Sequence, residues 1–115
     1  MSSIPQALVA ASTKPLILSI LASREESYGY EIMRLVKLFS GGHLAWSDGM
    51  LYPVLHRLER EGLIAARWGL SEAGRRRKYY RLQPQGAQVL QHEKQHWLQV
   101  HTTLTTLWNL EPRLT

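Results

Sequence analysis

The sequence predicts a mostly α-helical fold with one small β-hairpin and a long final helix, and three observations predict it. Apolar residues recur at i, i+3, i+4, i+7 in the first half of the chain, the spacing of one buried helix face. Between Leu63 and Leu82 this period gives way to two short apolar and aromatic runs around a glycine-bounded turn. From Pro84 to about Asn109 the apolar residues keep steps of three and four, the pattern of a helix that packs on another along its length. With 115 residues and 44% hydrophobic content, the chain fits one compact unit in two segments, 1–83 and 84–115.

The first segment opens with Ile4 to Ala22, read either as one helix interrupted at Pro15 or as a short helix followed by a second from about Thr13. Leu16, Ile17, Ile20 and Leu21 are expected to face the core, leaving Leu8 and Val9 free to meet a second subunit. Ser23 to Ser27 reads as a charged turn. The next helix should bury Ile32, Leu35, Val36 and Phe39 and stop at Ser40-Gly41-Gly42. His43 to Trp46 is expected as a short third strand beside the hairpin. A helix from Ser47 to Glu61 follows, with Ser47 as N-cap, Asp48 at the positive end of the helix dipole, and Leu51, Val54, Leu55 and Leu58 as its buried stripe. Pro53 predicts a kink or a loose first turn. Met50, His56, Arg57 and Arg60 occupy the other face, and Gly62 ends the helix. Two helices joined by this connection make a helix-turn-helix with a longer turn than the minimal form.

Leu63 to Trp68 and Lys78 to Leu82 are the two expected strands, with Gly69 to Gly74 between them and Trp68 as a packing residue at the strand end. The net charge of +5 is concentrated here. From Arg57 to Arg81 eight basic residues face three acids, a surplus equal to the whole net charge; elsewhere six basic and six acidic residues cancel. Charge confined in this way is the footprint of a protein that displaces counterions from phosphates. The run Arg75, Arg76, Arg77 and Lys78 therefore marks phosphate or minor-groove contacts, although a solvated charge run is the plain alternative.

In the last helix, Ala87, Leu90, Lys94, Trp97, His101, Leu104 and Trp108 form a heptad seam widened by Val89, Leu98 and Leu107. The preceding helices and the hairpin already close a core, so this seam is expected to pack on a second copy of the chain and on that copy's first helix. The absence of cysteine excludes a disulfide framework and fits a reducing compartment. No basic stretch leads into a long apolar run, and nothing approaches the roughly 18 to 20 apolar residues of a spanning helix. The expected setting is cytoplasmic, without a membrane partner.

Three motifs in order, YGYEI at Tyr28 to Ile32, LYPVLHRLEREGLI at Leu51 to Ile64 and GRRRKYYRL at Gly74 to Leu82, resemble the PadR family of winged-helix transcriptional regulators, with the similarity running from about Leu16 to Leu90. Met50 departs from the family pattern, where a Thr is common. Gln83-Pro84-Gln85-Gly86 also departs from it, replacing a Thr-initiated turn. The resemblance implies a winged helix-turn-helix with a C-terminal dimerisation helix, acting as a homodimeric repressor on a palindromic duplex operator. It places Tyr28 and Tyr52 near the DNA backbone. The helix Ser47 to Glu61 would enter the major groove, with Met50, His56 and Arg57 reading bases and the wing from Gly69 to Lys78 lying along the backbone. It also implies a planar aromatic effector between the two last helices, against Trp97 with Trp108, Leu8 and Val9 nearby. Control by a protein partner without a small ligand is the second reading.

A different class of function is raised by His92-Glu93-Lys94-Gln95-His96, which matches the zinc-hydrolase pattern H-E-x-x-H. The extended metalloprotease pattern needs Gly and His further on, where Gln99 and Thr102 stand, and no third ligand is in view. The expectation is a solvated helix face, with no enzyme activity, metal or cofactor.

Overall fold

The computed structural model describes residues 4–110; residues 1–3 and 111–115, the outer ends of the two expected segments, lie outside it. The chain runs α1 (Gln6–Ala22), β1 (Ser27–Tyr28), α2 (Gly29–Phe39), α3 (Asp48–Arg60), β2 (Ile64–Leu70), β3 (Arg76–Leu82) and α4 (Pro84–Trp108). The three strands form one antiparallel sheet in the order β1-β3-β2.

Helix α1 continues through Pro15. The Ser12 and Thr13 hydroxyls donate to the Val9 carbonyl at 2.9 and 2.8 Å, one turn before the proline. Ile17, Leu18, Ile20 and Leu21 are buried, whereas Leu16 is half-buried and looks toward α4. Helix α2 buries Ile32, Leu35 and Val36. Phe39, expected in this stripe, is 77% exposed because it is the final residue of the helix, where the core has ended. Helix α3 runs without interruption across Pro53 and buries Leu51, Leu55 and Leu58, with Val54 half-buried. Ser47 is the N-cap through its backbone only, its carbonyl accepting the Met50 and Leu51 N–H groups. Gly62 follows α3 at φ 77°.

The third strand is Ser27–Tyr28 and not His43–Trp46. Ser27 pairs with Tyr80 and Tyr28 with Tyr79, while Trp46 lies outside the sheet and is buried in the core. The hairpin is also longer than expected, since Gly69 and Leu70 belong to β2 and Arg76 and Arg77 to β3; the turn proper is Ser71 to Arg75.

Tyr80 closes the sheet side of the core at 1% exposure, and its hydroxyl has no hydrogen-bond partner among the described residues. Burial, followed by the nearby Glu59 charge, pushes the phenol up to about 12. An acid whose folded value is raised binds more protons folded than unfolded between those two values, so its contribution to stability declines as pH rises through that window. The expected result is a loss of stability between about pH 10 and pH 12 that Tyr80→Phe reduces. Denaturant midpoints of both proteins at pH 8 and pH 11 check it, and equal losses would count against it.

Helix α4 is about 37 Å long; Gly86 and Leu90, its buried residues, and the half-buried Val89 all lie in its first half, and the second half is largely exposed. The chain therefore measures 64 × 33 × 21 Å with a radius of gyration of 16.8 Å, against roughly 13 Å for a compact chain of this length.

Candidate nucleic-acid interface

Helix α3, the start of α2 and the hairpin enclose a groove of about 620 Å³ lined by Tyr28, Gly29, Tyr30, Tyr52, His56, Trp68, Tyr80 and the run Arg75 to Lys78. Strand β1 covers β3 only at Tyr79 and Tyr80. Among the described residues the β3 edge therefore lies open from Arg76 to Lys78, and it forms one wall of the groove.

The basic residues are not equivalent. The Lys78 ammonium lies 3.2 Å from a Glu59 carboxylate oxygen and so ties the hairpin to α3. Arg67 is paired through its guanidinium with Glu26, donating from Nε at 2.9 Å, and this bond is the main cause that holds the Glu26 carboxyl below its usual range. Arg57 makes a loose contact with Glu61 at 3.9 Å on the exposed face of α3. Among the described residues, Arg75, Arg76 and Arg77 have no carboxylate partner.

Aromatic rings hold several of these cations. The Arg77 guanidinium lies 3.8 Å from the centre of the Tyr28 ring, which meets Tyr79 edge-on at 5.9 Å. Arg67 lies over Tyr79 and Arg76 over Trp68, each at 4.6 Å. Gly69 belongs to the strand for a steric reason, since a Cβ there would stand 2.6 Å from Arg67 Nη1 and 3.2 Å from the Tyr79 ring.

Tyr52 packs on the first residue of α2, where a Cβ on Gly29 would approach its Cζ to 2.8 Å. Burial, then the Asp48 charge, raises its hydroxyl above the ordinary range. His56, Arg57 and Ser47 are exposed, whereas Met50 is half-buried and packs against the core, which limits its reach toward a base. Trp68, read from sequence as packing, is 58% exposed on the groove wall. Tyr30, on the exposed side of the α2 start, also lines it.

The second candidate site divides differently. Trp97 is 38% exposed and lines an apolar groove of about 360 Å³ between α1 and α4 with Pro15, Leu16, Leu90 and Leu98. Leu8, Val9 and Trp108 do not line it within one chain. Trp108 is three helical turns beyond Trp97, roughly 16 Å along the axis. His92 and His96 are exposed on α4, and Glu93 pairs with Lys14 at 3.7 Å. Among the described residues no three metal-ligating side chains come together.

The model of the transcriptional regulator PadR-like family matches residues 17–92. The chain belongs to the PadR-like family. Its structural neighbours agree. The PadR-like transcriptional regulator of Bacillus cereus strain ATCC 14579 is 31% identical, with a TM-score of 0.80 over 92% of this chain and 100% of that one. A transcriptional regulator from Clostridium thermocellum is 27% identical, with a TM-score of 0.79 over 90% of this chain and 96% of that one. The transcriptional regulator YqjI of Escherichia coli K12 is 37% identical over 79 residues, 69% of this chain but only 36% of that protein. As a PadR-family chain, the molecule has the winged helix-turn-helix fold, in which α2 and α3 form the helix-turn-helix and the β2–β3 hairpin the wing, and DNA-binding regulation follows from the family. No helix among its described residues is long and apolar enough to cross a membrane.

Proposed function

We propose that two copies of this PadR-family chain form a cytoplasmic homodimer that represses transcription from a palindromic duplex operator and is released by a planar aromatic effector. The observation that supports the DNA-binding geometry is the set of three guanidiniums, Arg75, Arg76 and Arg77, which have no carboxylate partner among the described residues and line the groove beside the exposed face of α3. On this reading α3 enters the major groove, His56 and Arg57 face base edges, the wing arginines neutralise phosphates, and Tyr28 and Tyr52 stand beside the backbone.

The dimer is supported by the apolar surface that α4 leaves uncovered. Leu98, Val100, Leu104, Leu107 and Trp108 are exposed along its free half, and the α1–α4 groove at Trp97 opens beside them. A second α4 would cover this stripe. A flat ligand entering between the two copies would then change the distance between their recognition helices.

Trp97 separates the two demands on this surface. Because it is a groove wall and not closed core, Trp97→Ala should cost about 1 to 2 kcal/mol, short of the roughly 3 to 5 kcal/mol of a fully buried ring. The variant should sediment as a dimer and bind duplex DNA. It should lose the fluorescence quenching that planar aromatic cations or phenols produce in the wild type. A monomeric variant, together with a wild type that no such compound quenches, would make Trp97 plain interface core and favour control by a protein partner.

A further inference from the structure

We propose that Trp68 is a positioning residue of the DNA-binding surface, its indole acting as the shelf on which the Arg76 guanidinium is held over the groove between wing and α3. The role rests on the DNA-binding reading above and adds to it a residue outside the basic run.

The register explains why the pair forms. Trp68 lies directly opposite Lys78, and Arg76, two residues from Lys78 on the same strand, shares that face and meets Trp68 on the diagonal. The directly opposed cation does not take the indole, because Lys78 is drawn the other way, to Glu59 at 3.2 Å, with the Tyr80 ring 5.4 Å from its ammonium. The indole face is left to Arg76, whose guanidinium carbon lies 4.6 Å from the ring centre. Trp68 is 58% exposed and lines the groove together with His56 of α3. A planar guanidinium stacks on such a ring while keeping its N–H fork available at the edge. An arginine free in solvent must give up its rotamer freedom when it meets a phosphate; one already resting on an indole gives up less.

The test titrates a mixed-sequence duplex at low salt, where phosphate contacts alone support binding, into wild type, Trp68→Ala, Trp68→Phe, Arg76→Ala and the Trp68→Ala/Arg76→Ala double variant. Trp68→Ala should weaken binding about two- to five-fold, Trp68→Phe should retain most of the affinity, and the double variant should bind like Arg76→Ala alone. In the free protein, which has four tryptophans, the indole N–H resonance that disappears in Trp68→Phe should move in Arg76→Ala while the others stay in place. Independent losses that multiply in the double variant, or a Trp68 resonance unmoved by Arg76→Ala, would overturn the proposal. A wild type that binds no duplex removes the DNA-binding reading and this role with it, and a resonance shift that persists identifies that failure as belonging to the former.

Discussion

Replacing Arg75, Arg76 and Arg77 together by alanine should weaken binding to every duplex by on the order of 10²-fold near 0.1 M salt and flatten the salt dependence by between two and three units of log-log slope, about 0.9 unit for each lost phosphate contact. These three are chosen because they have no carboxylate partner among the described residues, whereas Lys78 is paired with Glu59 and Arg67 with Glu26. Arg75 and Arg76 are exposed and Arg77 is half-buried, none of them in the core, so the fold should survive and the thermal transition should stay near that of the wild type. Lys78→Ala, by contrast, should change the slope little, since it removes a charge already balanced within the protein. Titration from low to moderate salt reads both, and an unchanged slope in the triple variant would place the arginines outside the interface.

Gly86→Ala should lower stability by about 1 to 3 kcal/mol, a fall in Tm of roughly 5 to 15 °C. Helix propensity alone predicts the reverse, a gain of up to about 1 kcal/mol for alanine in a helix. Sterics decide the sign. Gly86 is in the first turn of α4 and is buried, and a Cβ there would overlap the Leu63 carbonyl oxygen, lie 3.0 Å from its carbon and 2.8 Å from Leu82 Cδ1. The carbonyl cannot yield freely, because it accepts the Gln83 N–H at 3.0 Å just before the helix begins. The variant would have to lift α4 off the hairpin, and with it the first-half contacts that anchor the projecting helix. Thermal melts of the two proteins check this, and a variant as stable as the wild type would show that α4 is seated by other contacts.

The start of α4, where the sequence departs from the family pattern, is built without a side-chain cap. In place of a side-chain cap, α4 starts with Pro84 at its first turn and a Gly pressed against the sheet, and Gln83 makes no side-chain cap bond. Other features were legible because they depend on periodicity within one helix. The α3 stripe, the α4 boundaries and the concentration of charge in the wing were all available from residue types and spacing. What was not legible depends on where one element ends against another. A strand of two residues has no alternation to read, so Ser27 reads as the end of the charged turn Ser23 to Ser27 and the strand goes unseen. Trp46 looked like strand but is a buried member of the core, outside the sheet. Phe39 obeys the helical spacing but outlasts the core. Within the interface, the parity of β3 held usable information. Once Tyr80 is assigned inward, Lys78 and Arg76 share its side of the strand and Arg77 does not. That Lys78 would be claimed by Glu59, and that Trp68 would stay uncovered, required the packing of the hairpin on α3.

The Lys78–Glu59 bridge has a mechanical meaning. Its two ends belong to the wing and to α3, and both are partly shielded from solvent, so the two elements proposed to face DNA are joined into a single jaw. Bending the jaw would break the bridge, whereas tilting α4 leaves it untouched. In a dimer built on α4, the adjustable quantity is therefore the span between two rigid jaws. Duplex DNA is sensitive to that span, since its successive major-groove faces recur every 34 Å or so, and a displacement of a few ångströms at the dimer seam would put the second jaw out of register with its half-site while the first remained correctly shaped.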